Sequence, residues 1–264
     1  MSRYRGSVPT AAADFRFVSL QRHSTFNATE LHYFSSRVKC NHVAFFAVGI
    51  PVTALRSHRS AHCRVDSLDA FGRIHSPESS LVIWDRPVLA AIGLELEIVG
   101  ADAFPDVRAR VHSGKARDGL AALISAQGYD ALSAFPGWLD DMTRLSEVFF
   151  DFAGHRPVTV RLETLARTGC PRFHVDHSYL RLVCTYRGPG TEWLDDAQVD
   201  RAAQASGAPN EAIVRFGYPR CMPTFAVGLM KGCGYPGCAD AGLVHRSPAV
   251  EPGDPARVLF CLDC

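Results

Sequence analysis

No apolar run in this sequence reaches the roughly 18 to 20 residues that a membrane-spanning helix needs. The longest candidate, Val43 to Leu55, is closed off by His, Pro and Arg. Net charge is scarce as well: 28 Lys and Arg stand against 27 Asp and Glu, a formal balance of +1. A global electrostatic pull toward nucleic acid or an anionic membrane is thereby excluded, and only local basic patches such as Arg215 to Arg220 remain. Internal repeats and low-complexity blocks are missing too. The opening MSRYRGSVPTAAADFRF lacks the continuous apolar stretch of a secretory signal, while an Arg-rich transit peptide stays compatible with it. The glycine-rich pieces GPG (188 to 190) and GCGYPG (232 to 237) lack the spacing and strand-to-helix context of a phosphate loop, so nucleotide binding is not expected. Nine cysteines, an odd number scattered along the chain, argue against a disulfide framework. They read as reduced thiols of a soluble cytoplasmic protein, some of them available to metal.

What is present is a chain able to bury a large core: 264 residues, 47% hydrophobic and 21% charged. One elaborated β-domain or two smaller domains both suit that length. Residues 1 to 30 show no sustained periodicity and read as an irregular lead-in. The run His42 to Leu55 suits a buried strand or a short helix, broken by Pro51. Ser80 to Pro87, SLVIWDRP, reads as a strand closed by a turn. Glu95 and Glu97 alternate with Leu94, Leu96 and Ile98, the pattern of a half-buried strand. Leu139, Met142, Leu145, Phe149 and Phe152 fall three or four apart and line one face of a helix over 136 to 152. After Pro157 the runs VTVRLETL, FHVDHSYLRLVCTY, IVRFGYP, FAVGLMKG, GLVHRSP and RVLFCLD, separated by Gly, Pro and Asn, give an all-β signature. A short helix over Asp195 to Ala205, capped by Asp195 or Asp196 and ended at Gly207, interrupts it. Trp84, Trp138 and Trp193 read as core, with Trp193 nearest a pocket.

His174 and Asp176 are one residue apart in a strand-like run, so period-two alternation puts both on one face. His245 follows 69 residues after Asp176 in another strand-like segment, as a third ligand from a distant part of a closed β-scaffold would. Two imidazoles and one carboxylate can occupy one face of an octahedral metal and leave three positions open, which is the ligand set of a non-haem Fe(II) oxygenase. Arg257 begins the last strand-like run, twelve residues after His245. Its guanidinium can hold the far carboxylate of a 2-oxo acid in a bidentate fork. His177, of odd parity to His174, should face away. Cys233 and Cys238, with Cys261 and Cys264, form C-x4-C and C-x2-C pairs that offer an alternative tetrahedral zinc site. Cys170 and Cys184 read as buried small hydrophobes.

The strings SLVIWDRP at 80 to 87, RLETLARTGCPRFHVDHSYLRLVCTYRGPGTEWL at 161 to 194, LMKG at 229 to 232 and GLVHRSP at 242 to 248 resemble a bacterial family known as domain of unknown function 1826, from about Asp66 onward. The family's H-x-D and later H-R-S-P pattern is similar to that of 2-oxoglutarate and iron(II)-dependent oxygenases. The resemblance implies a double-stranded β-helix core of jelly-roll, cupin-like type over 66–264 with helical insertions, after an N-terminal extension over 1–65. It also implies Fe(II) and 2-oxoglutarate as cofactors, with zinc in a non-catalytic metal-handling protein as the alternative. Many such oxygenases carry a Ser two residues after the clamp Arg, where this chain has Leu259. Tyr186, Thr185 or Ser247 then become candidates to grip the cosubstrate, and Arg181 and Arg246 become rival clamps.

Overall fold

Val158, Val160 and Leu162 alternate with Thr159, Arg161 and Glu163, and Val258, Phe260 and Leu262 alternate with Arg257, Leu259 and Cys261. In a strand such alternation sends the two sets to opposite faces of a sheet. The computed structural model of the protein, which describes residues 62–264, uses both faces. Its strands are β1 (His62–Val65), β2 (Leu81–Trp84), β3 (Val107–Val111), β4 (Val158–Leu165), β5 (Leu180–Arg187), β6 (Glu192–Trp193), β7 (Arg220–Cys221), β8 (Val227–Lys231), β9 (His245–Arg246) and β10 (Arg257–Asp263). Seven of them form a large sheet in the order β1-β2-β8-β5-β10-β4-β3, and three form a small sheet in the order β7-β6-β9. All neighbours are antiparallel except β1 and β2.

One face of the large sheet packs its apolar set, including Val160, Leu182, Leu229 and Phe260, against helices. The helices are α1 (Ala90–Glu95), α2 (Ala116–Ser125), α3 (Ala131–Ala134), α4 (Pro136–Ala153), α5 (Arg201–Ala205) and α6 (Asn210–Ile213). The other face looks toward the small sheet, and Val183, Met230, Leu259 and Cys261 meet Trp193 there. Covering on both faces explains why β10 reads as a nearly unbroken apolar run. The architecture is mainly β with flanking helices, a jelly-roll core of the double-stranded β-helix type.

The helix expected over 136 to 152 is α4. Pro136 suits its first turn, Gly154 at φ 61 ends it, and Trp138, Leu139, Met142, Leu145 and Phe149 are buried against the sheet. A buried network fixes it there: Arg86 donates to both oxygens of Asp141 at 2.6 and 2.7 Å and to the Phe225 carbonyl at 2.7 Å, and the Tyr186 hydroxyl donates to Asp141 at 2.6 Å.

Three local expectations differ. Residues 90–98 are helical, α1 followed by a short 3₁₀ turn over Leu96–Ile98, and not a strand. The residues that pack are Ile92 and Leu96, a helical spacing of four, whereas Leu94 and Ile98 are 66% and 59% exposed. Helical backbone also lets Glu95 accept from the N–H groups of Gly137 and Trp138 at 2.8 and 2.7 Å, capping α4. The helix expected over 195 to 205 is two pieces, a 3₁₀ turn over Asp196–Gln198 capped by Asp195 and then α5, capped by Asp200. IVRFGYP forms no strand, since α6 ends at Ile213 and Gly217 takes φ 71 in the loop that follows. Of the expected extension, residues 62–65 form β1 and pair with β2. The remainder of it, with the lead-in over 1 to 30 and the run His42 to Leu55, lies outside the described residues.

Candidate metal centre

His174 and His245 come together through the backbone. Each N–H donates to the other's carbonyl at 3.0 Å, a single antiparallel bridge between the segment before β5 and strand β9. The His174 to Asp176 stretch is otherwise irregular, and β5 begins only at Leu180. Its path is set by close contact with glycines. A β-carbon on Gly242 would lie 2.4 Å from Val175 Cγ1, and one on Gly232 would lie 2.1 Å from the Ser178 carbonyl oxygen and 2.7 Å from that of Asp176. The Cys233 N–H donates to the Asp176 carbonyl at 2.8 Å and holds the turn.

One donor atom from each of His174, Asp176 and His245 lies within 4.8 Å of the others, the one His/Cys/Asp/Glu cluster of this kind among the described residues. The imidazoles are oriented for ligation. Nδ1 of His174 faces the Arg172 carbonyl at 2.8 Å and Nδ1 of His245 faces the Leu243 carbonyl at 3.2 Å. A carbonyl only accepts, so each Nδ1 carries the proton and each Nε2 presents its lone pair. The Nε2 atoms lie 3.8 and 3.3 Å from Asp176 oxygens. Burial pushes His245 down to about 4 against the pull of Asp176, leaving a neutral imidazole at neutral pH.

Burial works against the Asp176 carboxylate, yet its pKa sits below the usual value because His245, Arg181 and His174 outweigh that cost. With His245 neutral, Arg181 is the cation that acts at neutral pH. Its Nη1 is 2.6 Å from Asp176 Oδ2, and its Nε and Nη2 are tied to Asp263 at 2.6 and 3.1 Å. Asp176 Oδ2 is buried and makes no aligned hydrogen bond among the described residues, the nearby Arg181 Nη1 acting on it through charge, so the carboxylate retains acceptor capacity. Two neutral nitrogens and one such carboxylate suit a divalent transition metal.

The cluster opens on a cavity of about 70 Å³ between the two sheets, lined by Arg161, Glu163, Arg181, Arg257, Leu259 and Thr191 among others. Arg257 is 1% exposed. Its Nε donates to the Pro189 carbonyl at 2.8 Å, and its Nη2 donates to the hydroxyls of Thr185 and Thr191 at 3.0 and 3.1 Å. All three acceptors are neutral. Burial lowers the pKa of Arg257, as expected of a cation with no ion-pair partner among the described residues.

The other sequence candidates separate. Arg246 and Ser247 line the cavity, Arg246 being paired with Glu192 at 2.6 Å. Arg181 lines it as the partner of Asp176 and Asp263. Tyr186 does not reach it: as an even-numbered residue of β5 it faces the helices and donates to Asp141, while its neighbour Thr185 faces the cavity side. His177 points away and sits 3.3 Å from Cys233 Sγ. The four late cysteines do not converge. Cys261 and Cys264 are three apart on extended backbone, so Cys261 packs toward the small sheet and Cys264 toward the helices. Burial pushes Cys261 up to about 12, far from a thiolate ligand. Cys184 is buried as expected, whereas Cys170 is exposed and lines the cavity. Arg161, Glu163 and Thr191 are cavity residues that spacing alone did not single out, although alternation in VTVRLETL already put Arg161 and Glu163 on one face.

Among curated proteins, none matches this chain by sequence. By structure it is similar to the dioxygenase for auxin oxidation of rice, at 14% identity and TM-score 0.41, over 70% of this chain and 72% of that one. It is likewise similar to dioxygenase for auxin oxidation 1 from Arabidopsis thaliana in complex with 2-oxoglutarate, at 8% identity and TM-score 0.41, over 70% and 82% of the two chains. A third similar structure is a Pseudomonas putida prolyl-4-hydroxylase, at 13% identity and TM-score 0.35, over 75% and 98%. The family model described as protein of unknown function (DUF1826) matches residues 65–263, and the chain belongs to that family.

Proposed function

We propose that this protein is a non-haem Fe(II)-dependent oxygenase that uses 2-oxoglutarate as cosubstrate. The observation that carries the reading is the convergence of two Nε2 atoms and a carboxylate, each fixed from behind, in a cavity that also holds a buried guanidinium with no ion-pair partner among the described residues. His174, Asp176 and His245 would hold the metal, and bound Fe(II) would supply dioxygen activation as the 2-oxo acid is oxidised to succinate and CO2.

The chain's own residues bind and orient. The backbone carbonyls of Arg172 and Leu243 keep both imidazoles in the ligating tautomer. Arg181 keeps Asp176 ionised and, anchored on Asp263, sets its position. Arg257 receives the cosubstrate's far carboxylate on Nη1, the guanidinium nitrogen for which no protein acceptor is found among the described residues. Thr185 and Thr191 fix its plane. Leu259, Val183 and Met230 give the cavity apolar walls that limit water.

Anaerobic addition of 2-oxoglutarate to the Fe(II)-loaded protein tests the reading. A metal-to-ligand charge-transfer band, and succinate formed when air is admitted, are expected. Zinc as the metal retained after anaerobic purification, with no band and no succinate, would move the assignment to non-catalytic metal handling.

A further inference from the structure

Glu163 belongs neither to the metal-ligand set nor to the group that holds Arg257, yet it lines the same cavity from β4 and is 3% exposed. One of its oxygens accepts from Arg161, while Oε2 is buried and has no donor among the described residues, the like carboxylate of Asp106 being within hydrogen-bonding reach of Glu163. Across β10 and β4, Arg257 pairs with Leu165 and Leu259 pairs with Glu163, so Glu163 is the diagonal neighbour of Arg257 on the same face. Backbones in that relation lie about 7 to 8 Å apart, within reach of long side chains. A carboxylate seated on Nη1 of Arg257 in the cavity that both residues line comes within range of Glu163, whose charge already bears on Arg257.

Two carboxylates at that range resist being ionised together. The incoming one meets Arg257, which has no carboxylate partner among the described residues, whereas Glu163 is buried and shares Arg161 with Asp106, so the proton goes to Glu163. We infer that Glu163 takes up one proton from solvent when a 2-oxo dicarboxylate binds, and as the neutral acid donates a hydrogen bond to the ligand carboxylate that Arg257 holds. The inference rests on the oxygenase reading and adds to it a recognition residue and a pH dependence.

The groups around Glu163 agree with this. Burial is the largest influence on it and raises its pKa; Arg161 opposes that, and Asp106 adds to it. Asp106 stands just before β3, paired with Arg108 at 2.8 Å and with Arg161 at 3.3 Å, and its own pKa is lowered. From β10 the facing groups are Arg257 and the thiol of Cys261. Of these, Arg257 is the one whose charge a bound dicarboxylate neutralises. Binding removes its pull on Glu163 and favours protonation further.

The test is calorimetric titration of 2-oxoglutarate into the Mn(II)-saturated full chain from about pH 6 to 9, in buffers of differing ionisation enthalpy, which counts protons exchanged per ligand. The expected result is uptake that rises toward one proton per ligand with pH, with affinity then falling about tenfold per pH unit. Glu163→Gln keeps the shape and offers an N–H donor whose protonation is fixed, so it should bind without uptake and with a flat pH profile. A parent that binds without taking up a proton, or a Glu163→Gln protein that still takes one up, overturns the inference and leaves the oxygenase reading standing. A parent that binds no 2-oxoglutarate at any of these pH values overturns both.

Discussion

His174 and His245 are a hydrogen-bonded cross-strand pair whose rings stand 4.6 Å apart at their centroids, so the spacing of two candidate ligands is fixed by backbone pairing and not by their side chains. Removing one ring leaves the bridge in place.

His174→Ala should accordingly lower Fe(II) affinity by at least about 100-fold, beyond what most residues behind a ligand cost. The half-exposed ring contributes little packing, so the metal-free protein should lose less than about 1 kcal/mol. Metal stoichiometry and a denaturant melt on the same sample check both halves, and full metal content in the variant would remove His174 from the site.

Arg257→Lys separates cosubstrate from metal. An ammonium cannot keep the bonds to Pro189, Thr185 and Thr191 and still present a donor to the cavity where Nη1 stands, and the lost charge-assisted hydrogen bond corresponds to about 1.5 to 3 kcal/mol, or roughly one to two decades in affinity. Binding of 2-oxoglutarate should weaken by that much while Fe(II) binding stays at the parent value. Parental affinity in Arg257→Lys would shift the clamp to Arg246.

Arg181 supports the site from behind. Arg181→Met would leave Asp176 and Asp263 without their shared cation, and breaking a buried pair in this way costs about 3 to 5 kcal/mol. Asp176 would also lose the cation that keeps it ionised at neutral pH, so metal affinity should fall about 10- to 100-fold. Stability by chemical denaturation and affinity by Mn(II) titration should move together; movement of stability alone would make Arg181 a packing residue only.

The thiols give a prediction in the opposite sense, of inertness. Burial pushes Cys184 and Cys261 up to about 12, so both stay protonated at pH 8 and should resist alkylation in the native protein. Cys170, exposed at the cavity, should be modified first. Peptide mapping after brief iodoacetamide treatment reads this directly, and rapid labelling of Cys261 would show that β10 opens far more readily than a central strand should.

Much of this fold is legible in the sequence because its central strands alternate so cleanly. β4 and β10 follow from VTVRLETL and RVLFCLD, and α4 follows from apolar residues three or four apart. The residues of the candidate cluster are legible through H-x-D and a distant histidine. Residues 90–98 misled because Leu94 and Ile98 supply a period of two while packing nothing, and the helical pair Ile92 and Leu96 is diluted by them. The role of Arg181 was hidden because Asp263 lies 82 residues away in the chain, and because the turn that brings Asp176, five residues before Arg181, against it belongs to no regular element. His177 lies apart from the cluster, beside Cys233, although the irregular backbone there gives strand parity no hold, and alternation along β10 sets Cys261 and Cys264 on opposite faces, against the alternative zinc site.

The position of β10 bears on how the protein forms during synthesis. β4 and β5 are neighbours in the chain but not in the sheet, because β10, made much later, lies between them. Until it emerges from the ribosome, β4 and β5 each carry an open, largely apolar edge with nothing to pair. Joining them closes two long loops at once, a high-contact-order step that slows folding and prolongs exposure to aggregation. The strand that closes the sheet also brings Arg257 to the cavity, so the proposed cosubstrate pocket is completed only when the fold itself is.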